Sequence, residues 1–185
     1  MNHAGTKTIE TPRLILRAFM PDDVDAMRRN WVTDAEVTRY LTWQPHAESA
    51  ATRALAERWA RQAVEDPKFY QWAVVPKELG EPIGSLSVVR MDERTETAEL
   101  GWCIGLNWWG RGYMPEAARA LLVYLLREVG FHCVRAEHDA RNPKSGRVMQ
   151  KIGMTYEGTL RAAGVCNAGR GDMCVYSILA EELSQ

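Results

Sequence analysis

Between residues 70 and 105 three β-rich runs, YQWAVVP, PIGSLSVVRM and TAELGWCIG, follow one another with gaps too short to hold a helix. Parallel neighbours need a long crossover, so these gaps predict consecutive antiparallel hairpins on which the rest of the chain must pack. Upstream, IETPRLILRAF alternates Ile9, Leu14 and Leu16 with polar partners around Pro12 and reads as a strand. Pro21 with Asp22 and Asp23 opens a helix of about ten residues. The segment SAATRALAERWARQAVED brings Ala54, Leu55, Trp59 and Ala63 onto one helical face. Downstream, a helix from Pro115 to Val129 carries a stripe of Ala118, Leu121, Leu122, Leu125 and Val129. CVRAEHD reads as a strand, and NPKSGRVMQKIGM as a short helix stopped by Gly153. YEGTLRAAG and DMCVYSILAEE are strands on either side of a glycine-rich loop, Gly164–Gly171. This order predicts an α+β fold, a mixed and mostly antiparallel central sheet with helices on both faces.

No linker or repeat interrupts the 185 residues, so a single domain, 1–185, is expected, with residues 1–7 a loose N-terminal segment. A net charge of −1 argues against a general electrostatic grip on nucleic acid. No run approaches the about 18 apolar residues of a membrane span, and the N-terminus lacks a signal-peptide core. His3, His46, His132 and His138 have no metal-ligand spacing. Cys103, Cys133, Cys166 and Cys174 form no CxxC pair, and three of them lie in apolar strand-like runs where a reduced thiol packs as a small hydrophobe. A cytoplasmic, reduced, metal-free protein that binds neither nucleic acid nor membrane is expected.

The stretch NWWGRGYMPEA, residues 107–117, places two glycines and an arginine immediately before a helix. A helix start carries unpaired N–H groups and partial positive charge, and so attracts anions. Gly110 and Gly112 let the backbone approach a ligand without a Cβ in the way, Arg111 adds a formal charge, and Pro115 is tolerated in a first helical turn. These features describe a pyrophosphate cradle; a strand-to-helix connection that binds nothing has the same residues. Neither the dinucleotide fingerprint nor the P-loop pattern is present.

With AELGWCIG before it, PEAARALLVYLL after it and RNPKSGRVMQKIGMTYEGTLR downstream, this stretch resembles the GNAT superfamily of acyl-CoA-dependent N-acetyltransferases, in particular its RimJ/RimL-like branch. ETPRLILRAFMPDDVDAM and DMCVYSILAEE extend the resemblance to about residues 8–182. It implies a GNAT-like sheet, acetyl-CoA as acyl donor, no metal, a primary amine acceptor (a small molecule or a protein N-terminus), and a possible homodimer. The superfamily's phosphate motif falls on Trp109, Gly110, Arg111, Gly112, Tyr113 and Met114. Trp109 stands where the family has Gln or Arg, Met114 replaces a smaller residue, and Pro115 replaces the branch's frequent Thr, which implies a weaker cofactor grip.

The resemblance further implies that the pantetheine arm lies between TAELGWCIG and CVRAEHD, with an N–H near Cys103 or Ile104 holding the thioester oxygen. Glu99 falls where the branch has a carboxylate assigned as general base, direct or through water; a solvated strand carboxylate is the alternative. Glu96, its nearby substitute, points to the opposite face. Asn142 and Ser145 match Asn-x-x-Ser, placing Asn142 on the pantetheine arm and Ser145 beside the sulfur as an acid; both residue types also serve as helix caps. Tyr156 is a second possible proton donor or a core tyrosine, and Cys103 is expected to be inert packing rather than an acyl carrier. On the acceptor side, Trp31, Tyr40 and Trp43 would line an amine pocket or pack in the core, and Arg161 or Arg170 would meet an acceptor carboxylate or stay solvated. A non-catalytic acyl-CoA-binding sensor and a nucleotide-phosphate binder are the alternative readings.

Overall fold

The computed structural model describes residues 1–183. The three β-rich runs form strands β3 (Gln71–Pro76), β4 (Gly84–Asp92) and β5 (Thr97–Ile104), paired antiparallel in sequence order as the short gaps require. The predicted N-terminal strand is broken by the turn at Pro12 into β1 (Ile9–Glu10) and β2 (Leu14–Arg17), which pair with each other, and β2 joins β3. The helix opened by Pro21 begins as a 3₁₀ turn (Pro21–Asp23), continues as α1 (Val24–Met27) and ends in a π turn (Arg28–Val32). A short helix that the sequence did not announce, α2 (Ala35–Thr38), follows; Asp34 caps it by accepting from the Glu36 and Val37 N–H groups.

Helix α3 (Ser49–Glu65) buries Thr52 and Ala56, with Leu55, Trp59 and Ala63 half-buried beside them. Ala54, expected on that face, is exposed. Thr52 can take the buried position because its hydroxyl lies 3.0 Å from His46 Nδ1, which satisfies it. Helix α4 (Tyr113–Val123) runs into a π turn (Tyr124–Val129), and all five residues of the predicted stripe are buried. Strand β6 (Cys133–Asp139), helix α5 (Pro143–Lys151), strand β7 (Thr155–Cys166) and strand β8 (Gly169–Leu179) complete the chain.

The sheet has eight strands in the order β1-β2-β3-β4-β5-β6-β8-β7. Every neighbouring pair is antiparallel except β5–β6. One apolar layer, including Leu14, Trp72, Leu86, Leu100 and Val134, packs under α4 and α5. The opposite layer, including Phe19, Met27, Trp31, Ala56, Val75 and Cys103, packs under α1–α3.

Two expectations are corrected here. Residues 1–7 are not loose: Asn2 N–H donates to the Val129 carbonyl, Tyr124 Oη to the Gly5 carbonyl at 2.9 Å, and Trp72 Nε1 to the Lys7 carbonyl at 2.7 Å. The segment is held because it satisfies polar groups of an otherwise apolar layer. Gly164–Gly171 is not a loop either; β7 and β8 run through it and turn at Asn167–Ala168, helped by the positive φ of Gly169. Gly164 and Gly171 are small for packing: added Cβ atoms would meet Met173 Sδ at 2.3 Å and Asp139 Oδ2 at 2.4 Å.

Gly105, at the end of β5, is similarly constrained. A Cβ there would lie 2.1 Å from the Asn30 carbonyl oxygen and 2.9 Å from the Trp108 ring. Gly105→Ala is therefore expected to cost about 1–3 kcal/mol, the usual range for overpacking. A denaturant midpoint equal to the wild type would refute this close approach.

Candidate active site

The site begins where two strands part. Parallel pairing of β5 with β6 runs from Thr97↔Cys133 to Leu100↔Ala136 and then stops, although both strands continue. Gly105 N–H donates to the Ile83 carbonyl, and Cys103 is the next position of that ladder, opposite Ser85. The alternation of an antiparallel ladder turns the N–H groups of Trp102 and Ile104 the other way, into the split. Of the two expected oxyanion donors, Ile104 faces the gap, whereas the Cys103 N–H belongs to the β4 ladder. The Cys103 thiol lies 3.3 Å from Ser85 Oγ, and burial pushes its pKa up, so it stays protonated and poorly nucleophilic.

The glycine turn closes one end of the split. Gly110 and Gly112 both have positive φ, 76° and 79°, and Gly112 is the N-cap of α4. No atom lies within 4 Å of a Cβ built on Gly110, so the turn borders open space. Trp109 is bolted in place by donating Nε1–H to the Ile104 carbonyl at 2.7 Å, which fixes the turn to the end of β5. From below, Arg13 braces the turn: its Nη1 donates to the Arg111 carbonyl at 3.0 Å and its Nε to Glu116 at 2.6 Å. Its guanidinium also lies 4.7 Å from the Tyr113 ring centroid. Burial raises the Glu116 carboxyl, but hydrogen bonds from Thr11 and Arg13 outweigh it and hold the pKa down, so the brace is an ion pair. Arg13 lies about a hundred residues away in sequence, and no local pattern points to it.

Helix α5 forms the facing wall. Asn142 is its N-cap, yet its side chain makes no capping hydrogen bond and is free toward the cavity. A cavity of about 570 Å³ joins Gly110, Gly112, Trp109 and Ile104 to Asn142, Ser145 and the basic residues Arg141, Lys144, Arg147 and Lys151. Lys144 Nζ lies 4.0 Å from the Trp109 ring centroid, across the cavity mouth. A smaller cavity of about 120 Å³ shares Ser145, Asn142, Trp102 and Tyr40 with it and is also lined by His138, Glu137 and Met173. Sequence reasoning missed Glu137 and the α5 cations because their signal is only that they follow the split or share its helix.

The expected site residues divide accordingly. Cys103, Ile104, Gly110, Gly112, Tyr113, Met114, Asn142 and Ser145 come together in the walls of the larger cavity. The Tyr113 hydroxyl is engaged by Glu78 at 2.8 Å, so this residue adds its backbone rather than its phenol. Arg111 is exposed on the turn itself. Glu99 lies in the wall of neither cavity; its Oε2 is 3.3 Å from Arg90 Nη1. Burial pushes its carboxyl up, Arg90 pulls it back, Glu137 adds to the rise and Arg135 opposes it. Trp31 is fully buried in the core under α1–α3, 6.3 Å from the Phe19 ring, which corrects its expected place in an acceptor pocket. Trp43 packs on that core and Arg161 is exposed on β7, and neither lines the two cavities, whereas Tyr40 lines both. Tyr156 is exposed and hydrogen-bonded to Thr159 at 2.7 Å. Among the described residues no cluster of His, Cys, Asp or Glu has the makings of a metal site, and no helix is long and apolar enough to cross a membrane.

A parallel strand pair splits here beside a glycine-capped helix start, with Ser145 in the walls of both cavities. The chain belongs to the acetyltransferase (GNAT) domain family, whose profile matches residues 13–155. Over 176 residues it is 26% identical to the uncharacterized N-acetyltransferase p20 of Bacillus licheniformis, covering 95% of this chain and 98% of that one. A 59-residue stretch, 32% of this chain and 30% of the other, is 36% identical to the [ribosomal protein uS5]-alanine N-acetyltransferase of Escherichia coli. A GNAT-family acetyltransferase structure from Bacillus anthracis superposes with a TM-score of 0.82 at 26% identity, covering 95% of this chain and 99% of that one. The protein is an acyl-CoA-dependent N-acetyltransferase.

Proposed function

We propose that this enzyme moves an acetyl group from acetyl-CoA to the primary amine of an extended acceptor by direct attack, and that Glu137 is the carboxylate that takes the proton. One observation carries the reading: two cavities share Trp102, Asn142 and Ser145 beside the split of β5 and β6, one walled by the Gly110–Gly112 turn and the other by Glu137. The open, Cβ-free turn at the α4 N-terminus fits a pyrophosphate, and Lys144, Arg147 and Lys151 supply the opposing charge. Acetyl-CoA, when bound, supplies a thioester carbonyl open to attack by an amine. The N–H of Ile104 faces the gap where negative charge develops on that carbonyl's oxygen. The Asn142 side chain, uncommitted to its helix, meets the amides of the pantetheine arm. Ser145, which lines both cavities, gives its hydroxyl proton toward the departing thiolate and is reprotonated from solvent as Glu137 releases the amine's proton there.

On the acceptor side Glu137 and Glu99 share a face of the split, one beyond its last paired position and one before it. Glu137 lines the smaller cavity and accepts the ammonium proton, whereas Glu99 lines neither cavity and is paired with Arg90. The 59-residue likeness to the uS5-alanine enzyme supports a protein N-terminus as the acceptor class. The test is release of free thiol from acetyl-CoA across a panel of peptide N-termini and small primary amines. Measurable CoA binding with no turnover on any amine would favour a sensor over an enzyme.

The phosphate end makes its own prediction. Lys144→Ala is expected to weaken CoA binding about three- to tenfold at low salt, with a smaller loss at high salt, since an exposed cation is screened. Titration calorimetry at two ionic strengths measures this, and an unchanged Kd at low salt would remove Lys144 from the phosphate site.

A further inference from the structure

Successive residues of a strand face opposite ways, so His138 leaves β6 on the side away from Glu137, against α5. It is buried, borders the smaller cavity with Asn142 and Ser145, and has the Tyr176 ring beside it at 5.8 Å between centroids.

Both ends of the imidazole meet the segment that starts α5. Nδ1–H donates to the Asp139 carbonyl at 2.8 Å, and the same carbonyl accepts from the Asn142 N–H at 2.7 Å. A carbonyl oxygen has two lone pairs and takes both bonds. At the other end, Nε2, Cε1 and Cδ2 lie 2.6, 3.0 and 3.3 Å from where a Cβ on Gly146 would stand. Gly146 is buried inside α5, at a position where alanine is the better helix former. Its missing side chain is what lets the helix rest on the ring. The ring is kept from stepping aside by the bond to Asp139 and by Tyr176.

The start of α5 gets no help from its own cap, because the Asn142 side chain makes no capping bond. Ser145 N–H donates to the Asn142 carbonyl at 3.2 Å, so the two residues move together. Where they stand along the split is therefore set by what the first turn of α5 rests on.

We propose that His138 is a positioning residue for the donor half of the reaction. Its imidazole is the seat for α5 at Gly146, and it thereby sets where Asn142 meets the pantetheine arm and where Ser145 stands beside the departing thiolate. This inference rests on the acetyl-transfer reading of the same site.

Gly146→Ala tests the seat, since helix propensity favours the change and only the contact with the ring opposes it. Its kcat is expected to fall about ten- to a hundredfold, the cost of misplacing a group at the reacting centre, with the amine KM within about twofold of the wild type. CoA Kd should rise about fivefold through the weakened hydrogen bonds to the arm. Adenosine 3′-phosphate 5′-diphosphate, which is CoA without its pantetheine arm, should bind as it does to the wild type. In a His138→Ala background the same substitution should change kcat and CoA Kd by less than about twofold, because the ring it would meet is gone. Equal losses in the two backgrounds would overturn the proposal, as would wild-type kcat and CoA Kd in Gly146→Ala. Equal weakening of CoA and of the nucleotide without the arm would also overturn it, as the mark of a general loosening of the fold. If the wild-type enzyme turns over no amine, acetyl transfer fails, and the comparison of the two ligands across the four proteins still decides the seat.

Discussion

Glu137→Gln is expected to lower kcat by about 10²–10⁴-fold, the usual range for loss of a positioned general base, while leaving CoA Kd unchanged. The expectation follows from placement: Glu137 emerges just past Leu100↔Ala136, the last paired position, and lines the cavity that also holds Ser145. Glutamine preserves size and the ability to accept a hydrogen bond but cannot take up the ammonium proton. Glu99→Gln should change kcat by less than about threefold, because Glu99 lies outside the cavity walls with its carboxylate against Arg90. The same variant makes a stability prediction of definite sign. Burial raises the folded-state pKa of Glu99 above its ordinary value, so the stability it contributes is present at low pH. That contribution is lost as pH rises through the folded pKa, so Glu99→Gln should match the wild type in acid and equal or exceed its stability at neutral pH. A large kcat loss in Glu99→Gln with little in Glu137→Gln would reverse the two roles.

Gly112→Val should weaken CoA binding by at least about a hundredfold. Two costs add. Gly112 caps α4 at φ 79°, a region a β-branched residue reaches only at about 1–3 kcal/mol. Its Cβ would also lie 3.4 Å from Arg13 Nη2, the group that braces the turn, and its methyls would stand in the phosphate approach. Gly110→Ala separates these effects, since φ there is 76° but nothing lies within 4 Å of an added Cβ; strain alone predicts a loss of about tenfold. Binding of CoA measured in competition with ATP checks both variants and the ligand class together. Wild-type CoA affinity in Gly112→Val would remove the turn from the cofactor site, and tight ATP binding without a CoA response would point to a nucleotide-phosphate binder.

Local patterns carried much of the molecule. The β3–β5 meander, the Leu-striped α4 and the helix stopped at Gly153 were legible because period-2 and period-3.6 burial is written in neighbouring residues. Trp109, the departure from the family's phosphate motif, is explained by a hydrogen bond to Ile104 only five residues away. The errors share a cause. Trp31 looks like a pocket aromatic until the core under α1–α3 closes on it, and Gly164 and Gly171 look like loop residues until Met173 and Asp139 are packed against them. Residues 1–7 look free until Val129, Tyr124 and Trp72 are found bonded to them.

By itself the sequence determined the α+β class, the hairpin order, the glycine-flanked start of α4 and the Asn142-x-x-Ser145 turn, since each depends on residues within one helix turn or one hairpin. The tertiary structure alone decided where β5 and β6 part, and therefore that Glu137 rather than Glu99 reaches the cavity. It alone brought Arg13 under the glycine turn and Asn167 across to the 38–44 loop. These contacts join segments 98 and 129 residues apart, and where strand pairing ends is something no local periodicity encodes.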